Sequence, residues 1–104
     1  MRPSKYTVRL LSIAEQDLSE LISYLAAENP RTATEVLDHI ENRLQTLTAH
    51  PFAGRVPHNP KLTALGYRVL VIDNYLVFYK VKSKTVLVYR ILHGARDILH
   101  MLSE

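Results

Sequence analysis

The 104-residue chain is one domain's worth of polypeptide, and its 47% hydrophobic and 22% charged content excludes a disordered chain and leaves no room for a second independent core. No apolar run approaches the ~20 residues that span a bilayer, and Met1 to Leu11 hold no long apolar stretch followed by a small-residue cleavage site, so the cytoplasm is the expected compartment. The lack of cysteine excludes disulfides, thiolate metal ligands and cysteine nucleophiles, and the net charge of +3 sits in the second half: five basic against seven acidic residues over 1–50, eight against three over 51–104.

Lys5 to Leu11 alternates, with Tyr6, Val8 and Leu10 on one face and Thr7 and Arg9 on the other, and predicts a strand. Ser12 followed by Glu15 has the spacing of a capping box, so a helix is expected to start there. Its apolar positions Ala14, Leu18, Leu21, Ile22 and Leu25 form one buried stripe, while Glu15, Asp17 and Glu20 are read as facing water and favouring the N-terminal dipole. Glu28-Asn29-Pro30 ends this helix, because proline disfavours helical backbone in the residue before it. A second stripe, Ala33, Val36, Leu37, Ile40, Leu44 and Leu47, starts near Pro30 or Thr32 and stops at His50-Pro51. So short a connection makes the two helices an antiparallel hairpin, a surface that also offers itself for homodimerisation.

Residues 51–66 hold three of the five prolines and two of the three glycines and read as an irregular crossing segment. Three β-rich runs follow: Tyr67 to Ile72, Tyr75 to Lys82 and Thr85 to Leu92, with turns at Asp73-Asn74 and around Ser83. Tyr75, Val77, Tyr79 and Val81 share one face of the middle run and Leu76 and Phe78 the other, so the last two strands are expected to lie centrally in the sheet. Gly94 permits a bend, and Asp97 to Leu102 suit a short terminal helix. The expected fold is a single α+β domain over 1–104: an N-terminal strand, a helical hairpin, a three-stranded antiparallel meander and a short C-terminal helix, in the order βααβββ.

Most catalytic signatures are absent. The chain has no glycine-rich phosphate loop, no Gly-x-Ser-x-Gly elbow and no His-Glu-x-x-His, and its histidines (His39, His50, His58, His93, His100) are scattered, so neither a metal nor a cofactor is expected. A cationic and aromatic set remains in and after the sheet: Arg68, Tyr75, Tyr79, Arg90, His93 and Arg96. Such a set suits an RNA backbone, through arginine forks, base stacking on tyrosine and proton transfer by histidine, and it suits an acidic protein partner equally well. Tyr75 and Tyr79 share a face with Val77 and Val81, so each is either core filler or a stacking platform. Arg90, in an otherwise apolar strand, is either paired with a carboxylate or exposed near an edge. His93 and Arg96 flank Gly94 at the strand exit, where side chains project freely.

Taken in order along the chain, an early strand with Ala14-Glu15-x-Asp17-Leu18 and Tyr24-Leu25 after it, His50-Pro51 with Gly54, Gly66-Tyr67-Arg68, Tyr75-Leu76-Val77-Phe78-Tyr79 and Arg90-Ile91-Leu92-His93-Gly94-Ala95-Arg96-Asp97 resemble the RelE/ParE superfamily of bacterial type II toxin-antitoxin toxins, over about residues 5–102. The resemblance implies a growth-inhibiting toxin, at work in plasmid stabilisation, held inactive by a cognate antitoxin that is a small acidic protein encoded by the adjacent gene.

Two mechanisms divide the superfamily. RelE-like members resemble ribosome-dependent mRNA endonucleases, metal-independent mRNA interferases with several basic side chains on the sheet and a late tyrosine. Arg68 and Arg96 fall at two of those basic positions, and Tyr79 or His93 would then transfer a proton. Leu70 and Leu76 stand where further lysine or arginine is expected, and His100 and Leu102 where that pattern has tyrosine. ParE-like members are DNA gyrase poisons with a long helical hairpin, an apolar residue at the position of Leu76 and a Phe-Tyr pair like Phe78-Tyr79. The resemblance leans to ParE, a non-enzymatic binding protein whose partner-contacting residues would be Arg68, Tyr75, Arg90, His93 and Arg96. A non-toxic antitoxin-binding relic is the further alternative.

Overall fold

The computed structural model describes residues 5–94. Within them the chain forms β1 (Thr7–Leu10), α1 (Ser12–Glu28), α2 (Pro30–Thr46), α3 (Pro60–Ala64), β2 (Arg68–Ile72), β3 (Tyr75–Lys82) and β4 (Thr85–His93). This is the expected α+β order with one added helix, α3, inside the segment read as irregular. The terminal helix expected at Asp97 to Leu102 lies outside the described residues, as does Arg96.

Helix ends are set by residues that the apolar pattern does not reveal. The backbone N–H of Leu11 makes a last sheet bond to the Val88 carbonyl, and the Leu11 carbonyl accepts from Glu15 N–H. Leu11 is therefore the N-cap, without a side-chain capping bond, and Ser12 is already helical. The Ser12–Glu15 capping box does not form, because strand passes into helix with no residue to spare. Asn29 serves two helices: its N–H donates to the Leu25 carbonyl at the end of α1, and its side-chain oxygen accepts from Arg31 N–H and Thr32 N–H at the start of α2. Pro30 then takes the first position, where a missing N–H costs nothing. Asn59-Pro60 repeats the device at α3, with Asn59 accepting from Lys61 and Leu62 N–H. Helix α2 stops at Thr46, four residues before His50, and the chain turns so that the Thr48 carbonyl can accept from Tyr6 N–H beside β1.

The sheet order is β1-β4-β3-β2. Strands β2, β3 and β4 form the antiparallel meander, and β1 lies parallel to β4 along its outer edge. The helical hairpin covers one face: Ala14, Ile40, Leu44 and Leu47 pack with Leu70, Ile72, Val77, Tyr79, Val86, Val88 and Ile91 in the main core. A smaller cluster, Leu62, Tyr67, Val69, Phe78 and Leu92, includes α3 through Leu62. The central strands thus bury side chains in two clusters, as their apolar composition requires. Asp73 and Ser83 both take φ of 54° in the two tight turns, a left-handed backbone that aspartate tolerates and serine adopts at a cost. The β3–β4 register shifts between Phe78 and Tyr79, leaving Tyr89 as an extra residue in β4. No described helix is long and apolar enough to cross a membrane.

Candidate functional site

Arg90 follows the extra residue of β4, and a bulge of this kind re-aims the side chains around it. Its guanidinium reaches α1 and meets Asp17 in a two-pronged pair, Nε to Oδ2 at 2.8 Å and Nη2 to Oδ1 at 2.9 Å. Asp17 Oδ2 also accepts the backbone N–H of Ile91 at 3.0 Å. The two side chains are only 15% and 11% exposed, and the hydrogen bond to Asp17, opposed by burial, raises the Arg90 pKa above its ordinary value. Of the two alternatives for Arg90, the structure shows the carboxylate pair. Asp17 was expected to face water; instead it clips α1 to β4. The reason is helical geometry: Asp17 lies three residues after Ala14 and four before Leu21, on the stripe that meets the sheet.

Arg68 opens β2, two strands from Arg90 or about 10 Å across the sheet. Its Nη2 donates to the carbonyls of Phe52 at 3.1 Å and Gly54 at 2.8 Å, and the guanidinium carbon stands 5.3 Å from the centre of the Phe52 ring. Its Nε is buried with no hydrogen-bond partner among the described residues. Tyr79, the register partner of Arg68, is fully buried, and its hydroxyl accepts the Gly54 N–H at 2.9 Å. A Cβ at Gly54 would stand 2.7 Å from that hydroxyl and 2.7 Å from the Val69 carbonyl, so only glycine fits. Tyr79 is core and anchor, with no open face for a base to stack on. Arg68 and Tyr79 together pin the crossing segment against β2, helped by the paired N–H and carbonyl bonds of Arg55 with Val69.

Tyr75 and His93 face each other across β3 and β4, their rings edge to face with centroids 5.8 Å apart. They form one wall of a cleft of about 370 Å³; Ile91 and Leu21 line it with apolar surface, and Asp17, Glu20 and Tyr24 of α1 complete it. Of the residues expected to act together, the structure brings Tyr75 and His93 into this cleft, sets Arg90 beside it through Asp17, and leaves Arg68 and Tyr79 in a separate constellation. The contribution of α1 was missed, because an acid or tyrosine on a helix reads as solvated surface. In the second cluster, Tyr67 packs edge to face on Phe78 and Tyr89, and the Lys80 ammonium lies 4.6 Å and 4.9 Å from the Tyr67 and Tyr89 ring centres. Among the described residues no group of three or more histidine, aspartate or glutamate side chains is placed to hold a metal ion.

A family profile described as "ParE toxin of type II toxin-antitoxin system, parDE" matches residues 8–98. The chain belongs to this family of ParE toxins. The fold has the same relatives: a chain of the chromosomal ParDE toxin-antitoxin system from P. aeruginosa superposes with a TM-score of 0.70 at 22% identity, covering 88% of this chain and 98% of that one. A chain of the toxin-antitoxin complex RelBE2 from Mycobacterium tuberculosis gives 0.61 at 25% identity, covering 86% and 98%. No curated protein matches this chain by sequence. The ParE toxin scaffold is thus a four-stranded sheet under a helical hairpin, with the candidate residues divided between the crossing segment and the α1–sheet cleft.

Proposed function

We propose that this chain is a gyrase-directed toxin of the ParE kind, neutralised by a cognate antitoxin, and that it acts by docking rather than by cutting RNA. The observation that carries this reading is the engagement of Arg68 and Arg90, the described arginines of the candidate set. A phosphate-cleaving site keeps cationic forks aimed at the position where charge develops. Here Arg90 is held by Asp17, and Arg68 is turned inward, its Nη2 on two backbone carbonyls and its Nε buried. Tyr79 has no exposed surface from which to move a proton. Leu70 is buried and Leu76 packs against the second cluster, at positions where an endonuclease of the RelE kind would present cations. A ParE family match over 8–98 supports the same choice.

The likeness to a RelBE2 chain favours the mRNA endonuclease as the second reading. It requires Arg96, outside the described residues, to supply the cation, so Arg96→Ala would abolish message cleavage without weakening antitoxin binding.

Inducing this gene alone in growing cells tests the proposal. Growth should stop with breaks in the chromosome, and co-expression of an acidic protein from the neighbouring reading frame should restore it. Cleaved messages with an intact chromosome would overturn the gyrase reading. Unimpaired growth with the antitoxin still bound would mean a relic.

A further inference from the structure

The α1–sheet cleft has a character opposite to that of the chain around it. The protein carries a net charge of +3, yet no lysine or arginine is among the described residues lining this cleft. Among the described residues, the ionisable groups at and beside it include Asp17, Glu20, Arg90 and His93. Asp17 and Arg90 neutralise each other, and both Asp17 oxygens are already hydrogen bonded. Arg90 also attracts Glu20, but its two-pronged contact goes to Asp17, so among these groups one carboxylate charge stays in excess. Glu20 Oε2 accepts from the Gln16 amide at 3.2 Å, and its second oxygen has no donor among the described residues. The walls are aromatic: the Tyr75–His93 pair on the sheet and Tyr24 on the helix. Tyrosine faces attract cations, and a planar guanidinium stacks on them while offering a fork to a carboxylate.

Size and setting narrow the occupant further. At about 370 Å³ the cleft is near the lower end of the ~300 to 1,000 Å³ range of ligand pockets, which suits one long side chain better than a nucleotide. Leu21 and Ile91 supply apolar surface for an aliphatic stem. A phosphate group would meet Glu20 with no lysine or arginine on the described lining to compensate. Tyr24, 68% exposed at the rim, is a large ring held out to solvent, as expected of a contact surface for another polypeptide. We propose that the cleft between α1 and the β3–β4 strand ends receives an arginine side chain of a partner polypeptide, with Glu20 pairing its guanidinium and Tyr24 and Tyr75 enclosing it. The inference does not depend on which cellular target the toxin disables.

Amide NMR on the full chain tests this with three probes: acetyl-Gly-Arg-Gly-amide, the same peptide with uncharged citrulline in place of arginine, and spermidine. The arginine peptide should shift resonances of residues 20–24, Tyr75 and 91–93. Citrulline should weaken binding at least about tenfold, equivalent to about 1.4 kcal/mol. Glu20→Gln and Tyr24→Ala should each weaken the arginine peptide several-fold while keeping the wild-type unfolding midpoint, because both side chains are exposed. Three results would each overturn the proposal: no response in this region, an equal response to citrulline, or unchanged binding in both variants. Tighter binding of spermidine than of the peptide would make the cleft a small-cation site and overturn the polypeptide occupant.

Discussion

Asp17 is the residue whose removal most directly probes how the helical hairpin is held to the sheet. Asp17→Ala takes three hydrogen bonds from one buried junction: two from the Arg90 guanidinium and one from Ile91 N–H. Breaking a buried ion pair from one side typically costs ~3 to 5 kcal/mol, because the remaining charge stays desolvated and uncompensated. With 15% and 11% of the side chains still reached by solvent, the lower figure of about 3 kcal/mol applies. Against a total stability of roughly 5 to 15 kcal/mol, that is a large fraction. At ~4 to 8 °C per kcal/mol for a domain of this size, the midpoint should fall by at least about 12 °C. Urea and thermal unfolding of Asp17→Ala, Arg90→Met and the double variant measure it. The double variant should be more stable than Asp17→Ala alone, since it removes the guanidinium whose main carboxylate partner is gone and fills its place with apolar volume. A loss within about 0.5 kcal/mol for Asp17→Ala, the scale of an ordinary surface change, would show that the pair does not hold α1 to the sheet. So would a double variant whose loss is the sum of the two single losses.

Other perturbations read other parts of the fold. Gly54→Ala should destabilise by about 2 kcal/mol or more, since the new Cβ meets the Tyr79 hydroxyl and the Val69 carbonyl, and Tyr79→Phe should cost ~1 to 3 kcal/mol by leaving the Gly54 N–H buried and unpaired; chemical denaturation of both variants checks this. Asn29→Ala removes the acceptor that starts α2 and should lower stability by about 1 kcal/mol with some loss of helical circular dichroism. Burial, reinforced by Tyr89 and opposed by Arg90, raises the Tyr67 hydroxyl above its ordinary value of 10.0. The unfolded chain therefore ionises this group first, so its contribution is intact below pH 10.0 and is lost as pH climbs through the folded value. Unfolding free energies across that window should fall more steeply for the wild type than for Tyr67→Phe, and equal slopes would contradict the burial assignment.

What the sequence conveyed follows from which physical constraint leaves a periodic trace. The stripes Ala14 to Leu25 and Ala33 to Leu47 are buried or half-buried as their spacing requires, and the three strand runs match β2, β3 and β4 within a residue at either end. Backbone accounting leaves no such trace. Leu11 caps α1 only because β1 ends one residue earlier, and α3 exists because Asn59-Pro60 starts a helix inside a segment whose prolines suggest irregular chain. The extra residue Tyr89 has no compositional signature, yet it adjoins the arginine that reaches Asp17. Tyr79 could be read from spacing as core or platform, and only its hydrogen bond to Gly54 decides between them. At the candidate site, Tyr75 and His93, singled out separately in the sequence, prove to be register partners at the strand end. Their partners on α1 were not, because pairing an acid at position 17 with a cation at position 90 is a tertiary event that helical periodicity alone cannot announce.

We propose that this toxin works by occupying a topoisomerase and not by cleaving a message. Purified protein added to DNA gyrase and relaxed plasmid measures that directly. Blocked supercoiling with accumulation of cleaved, enzyme-linked DNA, relieved when the antitoxin is added first, is the predicted result. Gyrase that supercoils normally at saturating toxin, while the same preparation cuts ribosome-bound mRNA, would contradict it.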